Sequence, residues 1–483
     1  MIPLLSRLSG YLLLGMAAGL MLPLAVSYYY ADGMQYALML SATIILCLGL
    51  MLRNIFGRNA DYHIRPRNSF WVTIIVWLIV PLAGTLPYLA TGVVSSFTDA
   101  AFESFSGFTT TGSSIFPQPQ DLPPSILLFR SLTQWVGGLG LVMLLIAILR
   151  GMKVGTFDLY SAEFSGTLQR KLHPHIAISI HRMWFIYITL TLLLIGALLL
   201  CGNAPITSIC IALSTISSGG FMTHSDGAAI FSTASQWVIT AFMMVSAINL
   251  ALLYNFFTFK WRDLHRNEEF RHMVAIFLIA IASATLALYI SGNPFSSSIQ
   301  FACFHIAATI STCGFITTPP LHWANWLSVL TLLLMIIGSS SGSTGGGLKL
   351  KRVIILRKYL RNYILRIVHP NMVSTVKIDK VTVSESYINK ILAFLFLYFC
   401  FVIAATFLLT LCGYDLPNSI TLSLANMSNL GPSTLVSTLG ASLPYTALVA
   451  PAKWVLMVLM LAGRLEIFVL LAIFSPSYWR KFR

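Results

Sequence analysis

Four short segments of this chain set the strongest limit on its fold. Each joins a moderately apolar stretch to an end rich in serine, threonine and glycine, and each lies between two longer apolar runs. A stretch of about twelve residues is too short to span a bilayer and suits a re-entrant segment. The chain is therefore predicted to repeat one unit four times: span, half-span, glycine stretch and span. The four segments are 97–114, 206–223, 297–318 and 418–434.

One glycine from each segment aligns at intervals of about one hundred residues: Gly112, Gly219, Gly314 and Gly431. Non-helical backbone at membrane depth is stable only where it is buried in protein or lines water. A short helix descending from outside points its partly negative C-terminal end toward the membrane centre. The glycine stretch can then expose its carbonyls, because glycine reaches conformations forbidden to other residues. Carbonyl oxygens from four such stretches can replace the hydration shell of a potassium ion, so the pattern indicates a cation pore.

Composition makes lipid the natural solvent for most of the chain. Hydrophobic residues make up 57% of it and charged residues only 9%, whereas a soluble domain carries about 25% charged residues. The first apolar run is followed by three tyrosines and not by a small-residue cleavage site, so we expect a retained helix. Ten runs are long enough to be predicted as spans: 8–30, 35–52, 69–92, 125–150, 182–202, 233–260, 272–292, 324–348, 387–412 and 446–474.

The basic residues predict the orientation. With the N-terminus inside and the spans alternating, all of the 30 lysines and arginines except Arg130, Lys453 and Arg464 fall in inner segments. This follows the positive-inside rule and predicts that both termini are cytoplasmic. The net charge of +15 is therefore explained by the cytoplasmic face and does not indicate a nucleic-acid partner. These basic residues can also bind anionic lipid.

Acidic residues collect on the predicted outer face. Carboxylates that line a vestibule concentrate cations there. The alternative is that most of these acids are ordinary residues of outer loops. The six acids are Asp32, Asp99, Glu103, Asp121, Asp226 and Asp415.

The span after the third glycine stretch contains ten consecutive glycine, serine and threonine residues, 338–347. Each glycine destabilises a helix by up to about 1 kcal/mol, so the span is predicted to break there. A phosphate-binding loop would require Lys and Ser or Thr after the last glycine, but Leu348 follows. A flexible kink is the remaining alternative from composition alone.

Arg464 lies within the last span. A charge there costs at least about 3 kcal/mol unless it is paired or faces water. We predict that Arg464 points at the pore near the Gly-rich stretch and acts as an electrostatic barrier, or that its guanidinium binds carbonyls of that stretch; both can hold. Lys453 is expected to snorkel to the outer surface. Asn249 is expected either to line the cavity or to bond a neighbouring helix.

These motifs resemble the potassium-uptake membrane subunits of the Trk/Ktr/HKT superfamily, in particular the bacterial TrkH/TrkG type. The resemblance covers nearly the whole chain. The two extra spans at the N-terminus of this chain favour the Trk branch over the shorter Ktr branch. The matching pieces are GFTTTGS at 107–113, RSLTQWVGGLGL at 130–141, SSGGF at 217–221, STCGF at 311–315, GSTGGGLK at 342–349, NLGPS at 429–433 and GRLEIF at 463–468.

The resemblance implies a potassium filter and an intramembrane gate in one subunit. Glycine at position 112, where some sodium-transporting plant members have serine, favours potassium, whereas Cys313 stands where the family usually has threonine. The implied filter residues are Thr110, Thr111, Gly112, Ser217, Ser218, Gly219, Thr312, Cys313, Gly314, Asn429, Leu430 and Gly431. The implied gate residues are Gly338, Gly342, Gly345, Gly346, Gly347 and Arg464.

The resemblance also implies partners and location. A homodimer in the bacterial inner membrane is expected, with potassium as the transported ligand and no organic cofactor. A TrkA-like cytosolic ring that binds nucleotides is expected to dock on the inner face, where the ten basic residues of 349–390 form a candidate docking or lipid surface.

The predicted fold is thus an all-α integral membrane protein with four pseudo-repeats of helix, re-entrant pore loop and helix around a central pore. An ion-coupled secondary transporter is the main alternative function, and a membrane enzyme is disfavoured because no catalytic cluster is visible. The predicted divisions are 1–68 for two extra N-terminal helices, 69–180, 181–271 and 272–384 for the first three repeats, and 385–483 for the fourth.

Overall fold

The computed structural model describes residues 2–58, 66–141, 176–317, 325–372, 374–431, 444–465 and 467–474. This part of the chain is mostly helical. Within it, six helices are long and apolar enough to cross a membrane, and one bent helix pair adds a seventh candidate. The prediction of a multi-pass, all-α membrane protein is confirmed.

The chain begins with a helical hairpin that precedes the repeated units. Gly10 and Gly49 allow its two arms to pack closely, because a Cβ on Gly10 would lie 2.8 Å from the carbonyl oxygen of Gly49. Asp32, at the turn, accepts a 3.1 Å hydrogen bond from the Ser125 backbone N–H and so ties the hairpin to the first unit. The helices are α1 (Ile2–Gly19), α2 (Met21–Tyr30) and α3 (Gln35–Met51), followed by a π-helical turn (Leu52–Phe56).

Four units follow, and each contains a span, a short helix and a further helix. The first unit holds α4 (Pro66–Ala83), α5 (Thr85–Ala90), α6 (Phe97–Phe108) and α7 (Pro124–Gly138). The second holds α8 (Ile176–Leu200), α9 (Pro205–Ile216), α10 (Thr233–Ser246), α11 (Leu250–Phe257) and α12 (Trp261–Arg266). The third holds α13 (Glu268–Ile290), α14 (Phe295–Ile310), α15 (Asn325–Ile337) and α16 (Leu350–Val368). The fourth holds α17 (Glu385–Leu411), α18 (Leu416–Met427), α19 (Ala450–Leu465) and α20 (Ile467–Phe474).

A small hairpin joins the third unit to the fourth. Its antiparallel strands are β1 (Lys377–Ile378) and β2 (Val381–Thr382), with Lys377 opposite Thr382 and Ile378 opposite Val381. Within the described residues, single-turn 3₁₀ helices lie at Pro119–Asp121, Gly227–Ile230 and Tyr445–Ala447.

The second span of the first three units is interrupted, so the predicted continuous runs over 125–150 and 233–260 are wrong as single helices. α7 ends at Gly138, α10 and α11 meet at an angle of 108°, and α15 stops at Ile337, where the Gly-rich loop begins. The cause at the second interruption is local, because the Asn249 side chain accepts a hydrogen bond from the Ala251 N–H and caps α11. The predicted break over 338–347 is confirmed.

Candidate ion pathway

The four short helices α6, α9, α14 and α18, here called the pore helices, end in the same backbone conformation. Each is followed by one right-handed residue and then by a left-handed residue that is not glycine. Positive φ is uncommon outside glycine, so its recurrence at four equivalent positions shows that the units share one local structure. The left-handed residues are Thr110 (φ 56°), Ser218 (56°), Thr312 (59°) and Asn429 (51°).

This backbone pattern fixes the alignment of the segments 109–112, 217–220, 311–314 and 428–431, here called the filter segments. Two residues after each left-handed position comes a glycine: Gly112, Gly220, Gly314 and Gly431. The predicted alignment of Gly219 with the other three glycines is therefore wrong by one residue, since Gly219 is equivalent to Thr111. The sequence held the signal, because SSGGF laid over STCGF places Gly220 opposite Gly314.

The four filter segments contact one another in a ring, and glycines permit the close approach at each contact. A Cβ on Gly112 would overlap the Gly219 carbonyl oxygen, and one on Gly220 would overlap that of Cys313. A Cβ on Gly314 would lie 3.0 Å from the backbone nitrogen of Gly431, and one on Gly431 would lie 3.3 Å from the Thr111 carbonyl oxygen. The first segment thus meets the second, the second the third, the third the fourth, and the fourth the first.

A buried ion pair holds the chain just after the first filter segment. Glu103 on α6 and Arg130 on α7 are almost fully buried and lie 2.8 Å apart. Glu103 also accepts hydrogen bonds from Ser114 Oγ (3.0 Å) and the Ile115 N–H (2.9 Å). Glu103 therefore fits neither alternative offered for the six acids, an acidic vestibule or an ordinary outer loop, because its buried carboxylate binds these protein donors.

Three further polar residues that the sequence did not single out support the filter segments. Gln134 donates to the Gly219 carbonyl (2.7 Å) and accepts from Ser214 Oγ (2.8 Å), which fixes the second segment. Ser113 Oγ donates to Asn426 Oδ1 at 3.1 Å and shares a 2.9 Å hydrogen bond with the Tyr445 hydroxyl. Buried polar groups of this kind are recognisable only when their partners are known.

The Gly-rich loop (338–347) lies against the C-terminal ends of three pore helices. Thr344 donates to the Ile216 carbonyl (3.1 Å), and the Gly347 N–H donates to the Ser428 carbonyl (3.1 Å). A Cβ on Gly345 would lie 2.6 Å from the Ser311 carbonyl oxygen. The last carbonyls of a helix have no partner within the helix and carry partial negative charge. The loop therefore occupies the place where those helix ends would otherwise favour a cation.

The loop also binds the left-handed residues of two filter segments. Ser218 and Thr344 share a 2.8 Å hydrogen bond between their hydroxyls. Thr312 Oγ1 accepts a 2.7 Å hydrogen bond from the Gly346 N–H. Displacement of the loop would thus free polar groups at the base of the filter segments.

Arg464, in the last turn of α19, joins the loop to the end of α7. Its guanidinium donates to the carbonyls of Thr344 (2.8 Å), Gly137 (2.7 Å) and Gly138 (2.6 Å). The predicted bond to loop carbonyls is confirmed, whereas the predicted electrostatic barrier stays a prediction. Gly137 also lets α7 approach the end of α6 closely, because a Cβ there would overlap the Phe108 carbonyl.

Two other predictions about single polar residues are resolved by their contacts. Asn249 donates to the Ser341 carbonyl at 2.5 Å, so its distant partner is the Gly-rich loop and not the neighbouring helix that was one of its two expected roles. Lys453 is only 4% exposed and lies 2.6 Å from Asp99 on α6. The expectation that Lys453 snorkels to the surface is therefore wrong, because a carboxylate meets it within the protein.

The fold and this site define a class: multi-pass membrane proteins in which four short helices each lead into a glycine-containing segment, and the four segments contact one another in a ring. The sequence profile of the TrkH family, described as a cation transport protein, matches residues 37–481. The chain belongs to the TrkH family. Since this is a family of transport proteins, the prediction that the chain is not an enzyme is confirmed.

Related proteins match this chain over nearly its full length. The Trk system potassium uptake protein TrkH of Halomonas elongata is 33% identical over 98% of both chains, and that of Escherichia coli K12 is 32% identical over 99% of both. The crystal structure of the potassium transporter TrkH from Vibrio parahaemolyticus matches with a TM-score of 0.88 and 30% identity, over 99% of both chains.

Proposed function

We propose that this chain is the potassium-conducting membrane subunit of a Trk-type uptake system, which passes potassium down its electrochemical gradient into the cell. The closed order of four glycine-containing filter segments is the observation that carries the proposal. Relatives named as potassium uptake proteins, similar over almost their whole length, support potassium as the substrate.

Backbone carbonyls of the filter segments are the proposed ion ligands. A pore helix ends just before each segment, so four partly negative helix ends face the same region. Carbonyl dipoles at such positions can replace the water that a potassium ion loses on entry. The proposed lining is the four glycines of the ring, Gly112, Gly220, Gly314 and Gly431, with the two residues before each.

The Gly-rich loop and Arg464 are the proposed gate. The loop satisfies pore-helix carbonyls with its own N–H and hydroxyl groups, and Arg464 adds a positive charge beside it. A cation arriving from the filter segments would meet both obstacles. Conduction therefore requires that the loop and the guanidinium move away.

The proposed setting is the bacterial inner membrane, with cytoplasmic termini and a homodimeric assembly. A cytosolic nucleotide-binding ring of the TrkA kind would dock on the inner face. The support is the basic character of α16, which carries Arg357, Lys358, Arg361 and Arg366 on a largely exposed surface. Nucleotide control would then come from the partner.

Rubidium uptake into proteoliposomes that hold the purified chain tests this function. With an inside-negative voltage and no other gradient, uptake is expected to be inhibited strongly by potassium and weakly by sodium. Uptake that needs a sodium or proton gradient would instead establish the coupled transporter. Absence of voltage-driven uptake, even after deletion of Gly345 to Gly347, would overturn the pore.

A further inference from the structure

The Gly-rich loop has a second anchor, on its cytoplasmic side, that the proposed gate does not use. Its first turn, residues 340–342, forms hydrogen bonds with two elements that flank it, α13 and the α10–α11 junction. We propose that Glu269 on α13 is a positioning residue that holds the loop in its obstructing place. This inference rests on the proposed gating function of the loop.

Glu269 binds the loop directly. Its Oε1 accepts a 2.6 Å hydrogen bond from the Ser341 backbone N–H. Asn249 donates to the carbonyl of the same residue, so the Ser341 residue is held at both of its backbone polar groups. The Ala247 carbonyl accepts from the Ser340 N–H at 3.1 Å, and the Gly342 carbonyl accepts from the Leu250 N–H at 3.1 Å.

The position of Glu269 is itself fixed. It lies in the first turn of α13, where the Asn267 side chain caps the helix by accepting from the Phe270 N–H. Asp379, in the β1–β2 turn, accepts from the Glu268 N–H at 2.7 Å. These bonds hold the start of α13 against the cytoplasmic hairpin, so the Glu269 carboxylate has little freedom to leave the loop.

Because Glu269 is buried, its carboxylate depends on the hydrogen bond from the loop. Glu269 is only 5% exposed, and a buried carboxylate is costly unless donors satisfy it. The Ser341 N–H supplies a charge-assisted hydrogen bond, the stronger kind. Lys349 and Lys351 also interact with the carboxylate electrostatically. If the loop moved away, Glu269 would lose the Ser341 donor, so the carboxylate favours the obstructing position.

Hydrogen–deuterium exchange and rubidium uptake together test the proposal, on the full chain in proteoliposomes. Glu269→Ala is expected to speed exchange of the loop amides and to raise voltage-driven uptake by about tenfold, the scale of one lost charge-assisted bond. Glu269→Gln, which keeps an acceptor oxygen without the charge, should lie between wild type and alanine. The matched control is Glu268→Ala, because the Glu268 side chain pairs with Lys358 and not with the loop.

The outcomes separate this inference from the proposed function. If Glu269→Ala leaves both exchange and uptake at wild-type values while deletion of Gly345 to Gly347 raises uptake, the anchor is refuted and the gate stands. If the alanine, glutamine and Glu268 variants change exchange across the whole chain alike, the role is general stability and the proposal fails. If even the deletion gives no uptake, the gating function itself fails, and loop exchange alone then decides whether Glu269 anchors the loop.

Discussion

At the scale of single residues, the ring depends on backbone conformation more than on side-chain identity. Four different left-handed positions are occupied by Thr, Ser, Thr and Asn, and each costs conformational energy that the surrounding packing must offset. Sequence reasoning found three of the four ring glycines. It missed Gly220 because the adjacent Gly219 fits nearly the same spacing, although the Gly-Phe pair shared by SSGGF and STCGF marks Gly220, as does its positive φ.

Gly220→Ala is expected to abolish rubidium uptake. The new Cβ would overlap the Cys313 carbonyl, and the residue would have to hold φ near 90°. Gly202→Ala is the matched control, because Gly202 also has positive φ (85°) but has nothing within 4 Å of a Cβ. Uptake by liposomes that contain each purified variant is the measurement. Equal loss in both variants would show that left-handed strain, and not the ring, explains the effect.

Arg464 combines a charge with a three-carbonyl contact, and substitution can separate the two. Arg464→Lys keeps the charge but cannot reproduce the forked guanidinium geometry. If the carbonyl contacts hold the gate closed, lysine and glutamine should both raise uptake. If the charge is the barrier, only Arg464→Gln should raise it. Unchanged uptake in both variants would remove Arg464 from the gate.

At the scale of elements, the pore helices were predictable and the interrupted spans were only partly so. Length separated the half-spans from the spans, and ten glycine, serine and threonine residues revealed the break after α15. The 108° bend between α10 and α11 was not predicted, because the hydropathy of an apolar run is the same whether the helix is straight or bent. Asn249 caps α11 locally, but its second bond, to the Ser341 carbonyl about ninety residues away, is not visible in the local sequence.

The Glu103–Arg130 pair is expected to stabilise the first unit. Glu103→Gln leaves a buried guanidinium without its counter-charge, a loss of about 3–5 kcal/mol when a buried pair is broken. Thermal unfolding of the detergent-purified chain should show a clearly lowered midpoint. Asp121→Asn, a change at an exposed acid, serves as control and should leave the midpoint in place. A wild-type midpoint for Glu103→Gln would mean that the pair contributes nothing net.

At the scale of the whole molecule, charge and hydropathy predicted a multi-pass membrane protein, and the family profile and related structures agree. The site was less predictable. Glu103 and Lys453 looked like surface charges in sequence but pair with Arg130 and Asp99 inside the fold. Charges that are satisfied by partners far along the chain cannot be told from solvated ones by spacing alone.

The gate is expected to limit flux through the assembled chain. Deletion of Gly345 to Gly347 shortens the Gly-rich loop and removes the Gly347 N–H that binds the Ser428 carbonyl. Rubidium uptake should rise, because the inner ends of the pore helices would face the pathway. The order of inhibition by potassium and sodium should stay as in wild type. A rise with no remaining ion preference would indicate a collapsed filter instead of an opened gate.

If the four filter segments select potassium, competition during voltage-driven rubidium uptake should reveal that selectivity. Wild type, Gly112→Ser and the control Gly413→Ser would be compared with potassium or sodium as competitor. Gly112 and Gly413 both have positive φ, but only Gly112 lies in the ring. We expect a strong preference for potassium in wild type and Gly413→Ser, and a reduced preference in Gly112→Ser. Equal competition by sodium and potassium in wild type, or an unchanged preference in Gly112→Ser, would contradict it.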